Sequence, residues 1–280
     1  MLISSELLSR YSTRLLKNPL FTRALLQHCD LMYDLYRRQP LFYKMMFRDS
    51  RFNSILSVCC FVFGNQASSL SDVKHLCARY QIASPNSIIA ILTLLKTSGR
   101  LLLKRDEQDR RKTLILPTPR GLEELKETII CVFNPLQLLC PSPRLNVQLM
   151  DNDEYRHNFY YRAAQSLFRG IRFENIYPEA CLFIDKDAGR FLLLRLYRLA
   201  HDDQHQRQPV IKNYLSRLSR ELSVSRTHLR RMITSAIVSG YFVEETAGNL
   251  TLTPAFFQLA ERYAALYFSW TLYFSNVRPQ

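Results

Sequence analysis

Residues 104–125, KRDEQDRRKTLILPTPRGLEEL, place a cluster of cations between two apolar runs. Leu101 to Leu103 precede the cluster, and Leu114 and Leu116 follow it at the two-residue spacing of a strand. This pattern predicts a β-hairpin whose charged tip lies in water. An exposed charged turn without a ligand is the plain alternative. Cations on such a loop can bind phosphate groups, and the candidates here are Arg105, Arg110, Arg111 and Lys112.

A second cationic group, RTHLRR at residues 226–231, is typical of a helix that reads a DNA groove. The helical spacing of the apolar positions predicts a core-facing stripe formed by Leu229, Met232, Ile233 and Ala236. The remaining side chains then point outward. Their types donate hydrogen bonds to phosphates and base edges, and arginine is the usual partner of guanine. These candidate contacts are Arg226, Thr227, His228, Arg230 and Arg231.

The two cationic groups belong to two halves of the chain that resemble each other. The stretch RDSRFNSIL at residues 48–56 resembles KDAGRFLLL at 186–194, sharing an Asp and, after a shift of one residue, an Arg-Phe pair. The longer segments 76–103 and 218–243 follow in the same order. Each half then continues through two short predicted strands to a Thr-Pro pair and a helix. A nearly constant offset of about 140 residues between the matches indicates an internal duplication.

The duplication predicts two domains, residues 1–140 and 141–280, in a fold that is mainly α with small β-wings. Their junction is placed in residues 134–146, where three prolines disfavour a continuous helix. Each half is expected to contain a helix-turn-helix followed by a hairpin, or wing. The predicted ranges are 71–99 and 101–117 in the first half, and 212–240 and 241–253 in the second.

The ends of the second helix in each half are predicted from local signals. Ser84 and Ser225 are expected to be N-caps, because a serine hydroxyl there accepts a hydrogen bond from a free amide of the first turn. Gly99 and Gly240 are expected to follow the C-terminus, where glycine adopts the left-handed conformation easily.

The two halves differ in their outward-facing residues. In the first half, Asn86 and Ser87 are candidate DNA contacts, but Ile89, Ala90 and Leu94 also point outward and suit a protein surface better. In the second hairpin, the positions corresponding to the cations are occupied by Glu244 and Glu245, which repel phosphate. These differences predict an asymmetric DNA site, in which the second half reads bases and the first half binds the backbone.

Residues 109–121, DRRKTLILPTPRG, resemble the wing signature of the MarR family of bacterial winged-helix transcription regulators. The specific match covers residues 70–130, and the second half keeps the layout without the DRR run. In that family, two subunits pair through their terminal helices and place two recognition helices in successive major grooves. The resemblance implies two tandem winged helix-turn-helix units arranged as an intramolecular pseudo-dimer, with residues 256–274 in the interface. A monomer is expected, and a homodimer remains open.

The same resemblance implies a small-molecule effector of unknown identity, because members of the family often bind one between the dimer helices and the reading head. Aromatic side chains are available for such a pocket. Ordinary core packing accounts for them as well, and it is the preferred interpretation. The candidates are Tyr33, Phe42, Phe159, Tyr160 and Tyr161.

The composition favours a polyanionic partner. The 280 residues carry a formal charge of +14, with 20 Lys+Arg against 11 Asp+Glu in residues 1–140 and 18 against 13 in residues 141–280. Such a surplus makes a nucleic acid the leading candidate, because phosphate neutralisation releases counterions. Together with the predicted helix-turn-helix units, the expected partner is double-stranded DNA. No segment approaches the roughly 18 uninterrupted apolar residues of a membrane span. The N-terminus lacks a signal-peptide pattern and the seven cysteines lack CxxC spacing, so a cytoplasmic protein is expected.

No pattern in the sequence indicates catalysis, so neither an enzyme nor a cofactor is expected. There is no glycine-rich phosphate loop, GxSxG or HExxH motif. The HDDQH stretch at residues 201–205 has two histidines four residues apart. It is interpreted as a solvated connector rather than as a metal site.

These features together predict a DNA-binding transcription regulator that binds an asymmetric duplex site. One alternative within DNA binding is a plasmid-type replication initiator, because some initiators also carry two winged helices. Another is a tandem winged-helix protein-interaction module that does not bind DNA.

Overall fold

The computed structural model describes residues 2–64, 69–202, 204–245 and 248–279. The chain is mainly helical with small antiparallel sheets, as the sequence predicts. The elements of the first half are α1 (Ser5–Leu16), α2 (Phe21–Arg38), α3 (Pro40–Met46), α4 (Asp49–Cys59), α5 (Leu70–Arg79), α6 (Pro85–Thr97), β1 (Leu101–Arg105), β2 (Thr113–Pro117) and α7 (Pro119–Leu139). Helix α4 continues into a π-helical turn, Cys60–Gly64.

The second half contains the same kinds of element in a similar order. They are α8 (Asp153–Phe168), α9 (Phe173–Ile176), α10 (Cys181–Ile184), α11 (Gly189–Leu199), β3 (Val210–Ile211), α12 (Tyr214–Glu221), α13 (Arg226–Val238), β4 (Phe242–Glu244), β5 (Leu250–Leu252) and α14 (Pro254–Phe274). Short 3-10 helices, Pro143–Leu145 and Val147–Asp151, connect the halves.

The predicted helix ends are confirmed in both halves. The Ser84 hydroxyl accepts a hydrogen bond from the Ser87 amide at 3.2 Å, and the Ser225 hydroxyl accepts one from the His228 amide at 3.1 Å. Gly99 and Gly240 have φ angles of 74° and 77°, which most other residues adopt only with strain. Each of these capping residues interacts within a single turn of its own helix, so the sequence alone predicts where the helix begins or ends.

Both predicted hairpins are present, and the second gains an additional strand. In the first, β1 pairs with β2 from Leu101↔Pro117 to Arg105↔Thr113, leaving residues 106–112 as the loop. In the second, β5 lies between β4 and β3. The strand β3 is too short, at two residues, to produce an alternating pattern in the sequence.

The prediction that prolines interrupt the helix at residues 134–146 is wrong for its first part. Helix α7 continues through Pro135 to Leu139. Pro135 is buried, and α7 packs against α2 and α14 there, so tertiary packing outweighs the hydrogen bond that the proline removes. The chain leaves the helical conformation only at Cys140.

The two halves share an apolar core. Helix α1 of the first half packs against α14 of the second, and α2 packs against α11. Helix α8 of the second half packs against α4 and the π-helical turn of the first. Over the described parts of the chain, none of the helices combines the length and the apolar character needed to cross a bilayer.

Two of the ion pairs that join the halves involve the related stretches 48–56 and 186–194. Arg190 lies 3.3 Å from Asp49, and both side chains are almost fully buried, with 2% and 1% exposure. Arg51 lies 3.4 Å from Asp187, and about a third of each of these side chains is exposed. The contacts are reciprocal, because Asp49 corresponds to Asp187 and Arg51 to Arg190 in the alignment of the halves.

Candidate nucleic-acid interface

The first hairpin holds its predicted phosphate-binding cations in solvent. Arg105, Arg110 and Arg111 are exposed, and no ion pair engages them within the described residues. Lys112 is also exposed, and its ammonium lies 3.9 Å from the Asp109 carboxylate. The Asp109 side chain accepts a hydrogen bond from the Arg111 amide at 3.1 Å, which shapes the loop that carries the cations. Unpaired guanidinium groups on an ordered loop are suited to bind phosphates.

Helix α13 presents part of its predicted polar face to solvent. Its four predicted core residues are buried, while Arg226, Thr227 and Arg231 are exposed. Neither arginine takes part in an ion pair among the described residues. Both guanidinium groups are therefore free to bind a phosphate or a base edge.

His228 differs from the other predicted contacts on α13. Its side chain is half-buried, and Nε2 lies 3.0 Å from the backbone carbonyl oxygen of Asp187. The third residue of α13 lies close to the segment preceding α11, so this imidazole contacts the protein instead of pointing fully outward. Helical periodicity could not predict this contact, because the partner lies 41 residues away in sequence.

Arg230 is exposed but is not free. Its Nη1 lies 2.5 Å from Oε1 of Glu244 and 3.1 Å from the hydroxyl of Tyr214. The Tyr214 hydroxyl donates to the same Glu244 oxygen at 2.6 Å. Glu244, which the sequence predicts to repel phosphate from the second hairpin, is therefore paired with Arg230 of α13.

The remainder of the second hairpin is only partly described. Glu245 is exposed, and its carboxylate accepts a hydrogen bond from Thr251. Thr246 and Ala247, at the centre of the predicted wing, lie outside the described residues.

In the first half, helix α6 presents a less polar face. Asn86 and Ser87 are exposed, and the Ser87 hydroxyl lies 2.9 Å from that of the N-cap Ser84. Ile89 is 42% exposed, and Ala90 is exposed beside it. This face can contact a duplex at its N-terminal end, but it carries no cation there.

A cavity of about 260 Å³ lies between the first hairpin and helices α3, α4, α7 and α8. Phe42, Phe159 and Tyr160, three of the aromatic residues named from the sequence, line it. Tyr33 instead stacks under the Arg195 guanidinium at 4.2 Å, and Tyr161 is 46% exposed. The walls are mainly apolar and enclose space for a small neutral molecule.

Arg100 connects this cavity to the candidate interface, and no motif in the sequence indicates its role. It is 7% exposed, and it binds Glu124 through two hydrogen bonds of 2.5 and 2.9 Å. Its guanidinium lies 3.5 Å above the Phe42 ring and donates to Gln39 at 2.7 Å. Because Arg100 lies between the end of α6 and the start of β1, it joins α6 and the first hairpin to α3 and α7.

The HDDQH stretch is not solvated throughout, contrary to the interpretation from the sequence, and two of the cysteines are partly buried. His201 is buried, and its Nδ1 lies 2.7 Å from the Tyr197 carbonyl oxygen, while Asp203 lies outside the described residues. Within the described ranges, no three His, Cys, Asp or Glu side chains converge as a metal site. Burial raises the pKa of the half-buried thiols of Cys59 and Cys181 to about 12, so both are protonated at neutral pH.

Comparison of the chain with protein-family models, with curated proteins and with solved structures finds no match.

Proposed function

We propose that the protein is a DNA-binding transcription regulator built from two winged helix-turn-helix units in one chain. Each half has a helix, a tight turn, a second helix of 13 residues and a hairpin that leads into a long helix. This order of elements is the one that places a second helix in a major groove with the wing beside it.

The observation that carries the proposal is the set of unpaired, exposed guanidinium groups on two protrusions. Arg110 and Arg111 lie on the first hairpin, and Arg226 and Arg231 lie on α13. Ion pairs elsewhere in the described chain engage many of the arginines. Together with the formal charge of +14, unpaired cations at these positions favour a duplex partner over a neutral protein surface.

Reciprocal contacts support an arrangement of the halves as a pseudo-dimer. In a two-fold interface, residue i contacts residue j and residue j contacts residue i. The pairs Asp49–Arg190 and Arg51–Asp187 follow this rule. The packing of α2 on α11 and of α8 on α4 follows it as well, because LFTRALL at residues 20–26 in α2 resembles FYYRAAQ at 159–165 in α8. The first half then binds the backbone through its hairpin, and the second half reads bases through α13.

Enrichment of bound fragments from random duplex DNA tests the proposal. We expect an asymmetric site bound with a dissociation constant on the order of 10⁻⁸ M at physiological salt. Single promoter sites in genomic fragments would support a regulator, whereas clustered repeats at an origin would favour the replication initiator. If no duplex binds at about 50 mM salt, a condition that strengthens phosphate contacts, the proposal is wrong and the protein-interaction module replaces it.

We also propose that the cavity beside Arg100 binds a small neutral apolar molecule that regulates DNA binding. The charge of Arg100 is compensated by Glu124, so the cavity offers no uncompensated charge from this pair to an ionic ligand. Its volume of about 260 Å³ exceeds the roughly 150 Å³ that accommodates benzene in an engineered cavity.

Neutral bicyclic aromatics such as naphthalene and indole are suitable probes of this cavity. At ten times its dissociation constant, a bound probe is expected to stabilise the protein by about 1.4 kcal/mol, measured as a rise in thermal midpoint. The control variant Leu125→Trp fills the space, because Leu125 lines the cavity, and should abolish the rise. Equal shifts in both proteins would show that the probe binds elsewhere.

A further inference from the structure

The contacts of Arg230 leave one edge of its guanidinium available. An arginine side chain has five N–H donors, and the two on Nη1 of Arg230 are directed to Glu244 and Tyr214. No hydrogen bond within the described residues engages Nε or Nη2, and about half of the side chain is exposed. The Nε–Nη2 edge therefore faces outward with two parallel donors.

Guanine is the base whose major-groove edge matches such a pair of donors. Its O6 and N7 atoms are adjacent acceptors, and arginine binds them through two hydrogen bonds. A lysine cannot replace arginine here, because its ammonium lacks the planar fork. An Arg230 held by Nη1 thus keeps its Nε–Nη2 edge available for this contact.

Tyr214 of α12 and Glu244 of β4 both contact Nη1 of Arg230 and are hydrogen-bonded to each other. The Tyr214 ring is 1% exposed at the start of α12, and its hydroxyl donates to Glu244 at 2.6 Å. The hydrogen bonds from Tyr214 and Arg230 lower the pKa of Glu244, so the carboxylate is ionised at neutral pH. A fixed negative charge beside Arg230 reduces the attraction of this arginine for a phosphate without occupying its open edge.

We propose that Glu244 and Tyr214 are positioning residues that orient Arg230 to read one guanine in the major groove and keep it from acting as a phosphate contact. This inference rests on the proposed DNA binding and adds to it the base that the second unit prefers. Glu244 of the second hairpin then contributes to base specificity, whereas the cations of the first hairpin bind phosphates.

Two substitutions of Glu244 distinguish its effect on the orientation of Arg230 from its effect on the charge of that arginine. The variant Glu244→Gln keeps an oxygen that accepts from Nη1 but removes the charge. Because Arg230 then stays on the base edge, we expect this variant to retain the guanine preference and to steepen the slope of log affinity against log salt by clearly less than about 0.9, the value for one phosphate contact. The variant Glu244→Ala removes both the hydrogen-bond acceptor and the negative charge, so Arg230 can turn to a phosphate. It should steepen the slope of log affinity against log salt and lower the guanine preference at one position by about tenfold.

Matched variants complete the test. Glu245→Ala removes a neighbouring carboxylate that contacts Thr251, and it should leave the guanine preference unchanged. Tyr214→Phe keeps the buried ring and should lower the preference about threefold. Arg230→Lys should abolish it. Circular dichroism and thermal midpoints establish that each variant is folded.

The outcomes distinguish this inference from the proposed function. If the wild-type protein binds a preferred duplex and Glu244→Ala changes neither the base preference nor the salt slope, the positioning role is wrong while DNA binding stands. If neither the wild-type protein nor any variant binds duplex DNA at low salt, both proposals fail together. Loss of preference in Glu245→Ala as well would assign the effect to the hairpin as a whole and overturn the specific role of Glu244.

Discussion

Replacing Arg190 by leucine is expected to lower the free energy of unfolding by about 3–5 kcal/mol near pH 8, because the change leaves the Asp49 carboxylate buried without its counter-ion. Asp49 is fully buried, and Arg190 lies 3.3 Å from it. The Arg190 guanidinium also lies 4.6 Å from the centre of the Phe52 ring, and leucine cannot reproduce that interaction. Chemical denaturation monitored by circular dichroism measures the change in stability.

The reciprocal pair provides a matched control. Arg51 and Asp187 are joined at 3.4 Å, but their side chains are 36% and 37% exposed. Solvent screens such a pair, so Arg51→Leu should cost about 1 kcal/mol or less. Equal losses of stability in the two variants would contradict the view that burial, rather than pairing itself, makes Arg190 important.

The effect of Arg190→Leu should also depend on pH. Burial raises the pKa of Asp49 to about 6, although the charge of Arg190 opposes the rise. Protonation of Asp49 therefore contributes stability below its unfolded pKa of about 3.9, and this contribution is lost as the pH rises through about 6. Without Arg190 the pKa rises further, so the variant should lose less stability at pH 5 than at pH 8. A loss that is the same at both pH values would show that Asp49 does not become ionised next to Arg190.

Removing both arginines from the tip of the first hairpin is expected to weaken binding to all duplexes alike. Arg110 and Arg111 are exposed and unpaired among the described residues, and each can neutralise one phosphate. The double change Arg110→Ala and Arg111→Ala should therefore lower the salt slope by about 1.8 and the affinity by at least about tenfold at physiological salt. Filter binding over a range of roughly 50 to 300 mM salt measures both quantities.

Two controls define what this result means. Lys104 lies on the same hairpin but is paired with Glu107 at 2.7 Å, so Lys104→Ala should change the slope by less than either arginine. The double change Arg226→Ala and Arg231→Ala on α13 should flatten the sequence preference, because each arginine that binds a base edge contributes about 1–3 kcal/mol of discrimination. If the hairpin variant alters preference while the α13 variant only weakens binding uniformly, the roles of the two surfaces are reversed.

Interactions between residues close together in the chain explain why the sequence alone predicts the helices and hairpins at residues 71–117 and 212–253. The N-caps Ser84, Ser225, Thr118 and Thr253 each bind an amide three residues ahead, and the strands of the first hairpin are only seven residues apart. Interactions of this range depend on a few adjacent residues, so type and spacing predict them. The amphipathic pattern of α13 similarly predicted its four buried residues.

The environment of several arginine and histidine side chains, in contrast, depends on partners far away in the sequence. Arg190 is buried because Asp49, 141 residues earlier, lies beside it, and His228 is half-buried on Asp187. Arg100 donates a hydrogen bond to Gln39, which lies 61 residues earlier in the chain. Helix α7, which continues through Pro135, packs on the distant helix α2.

The sequence by itself therefore determined the mainly helical fold with two small hairpins, the ends of several helices and the positive charge of the protein. Only the tertiary structure decided which arginines are free, because an exposed guanidinium and an ion-paired one have the same sequence signature. Strand β4 returns next to α13 and places the Glu244 carboxylate 2.5 Å from the Arg230 guanidinium. Arg230 is therefore paired, whereas its neighbour Arg231 is exposed and has no ion pair among the described residues.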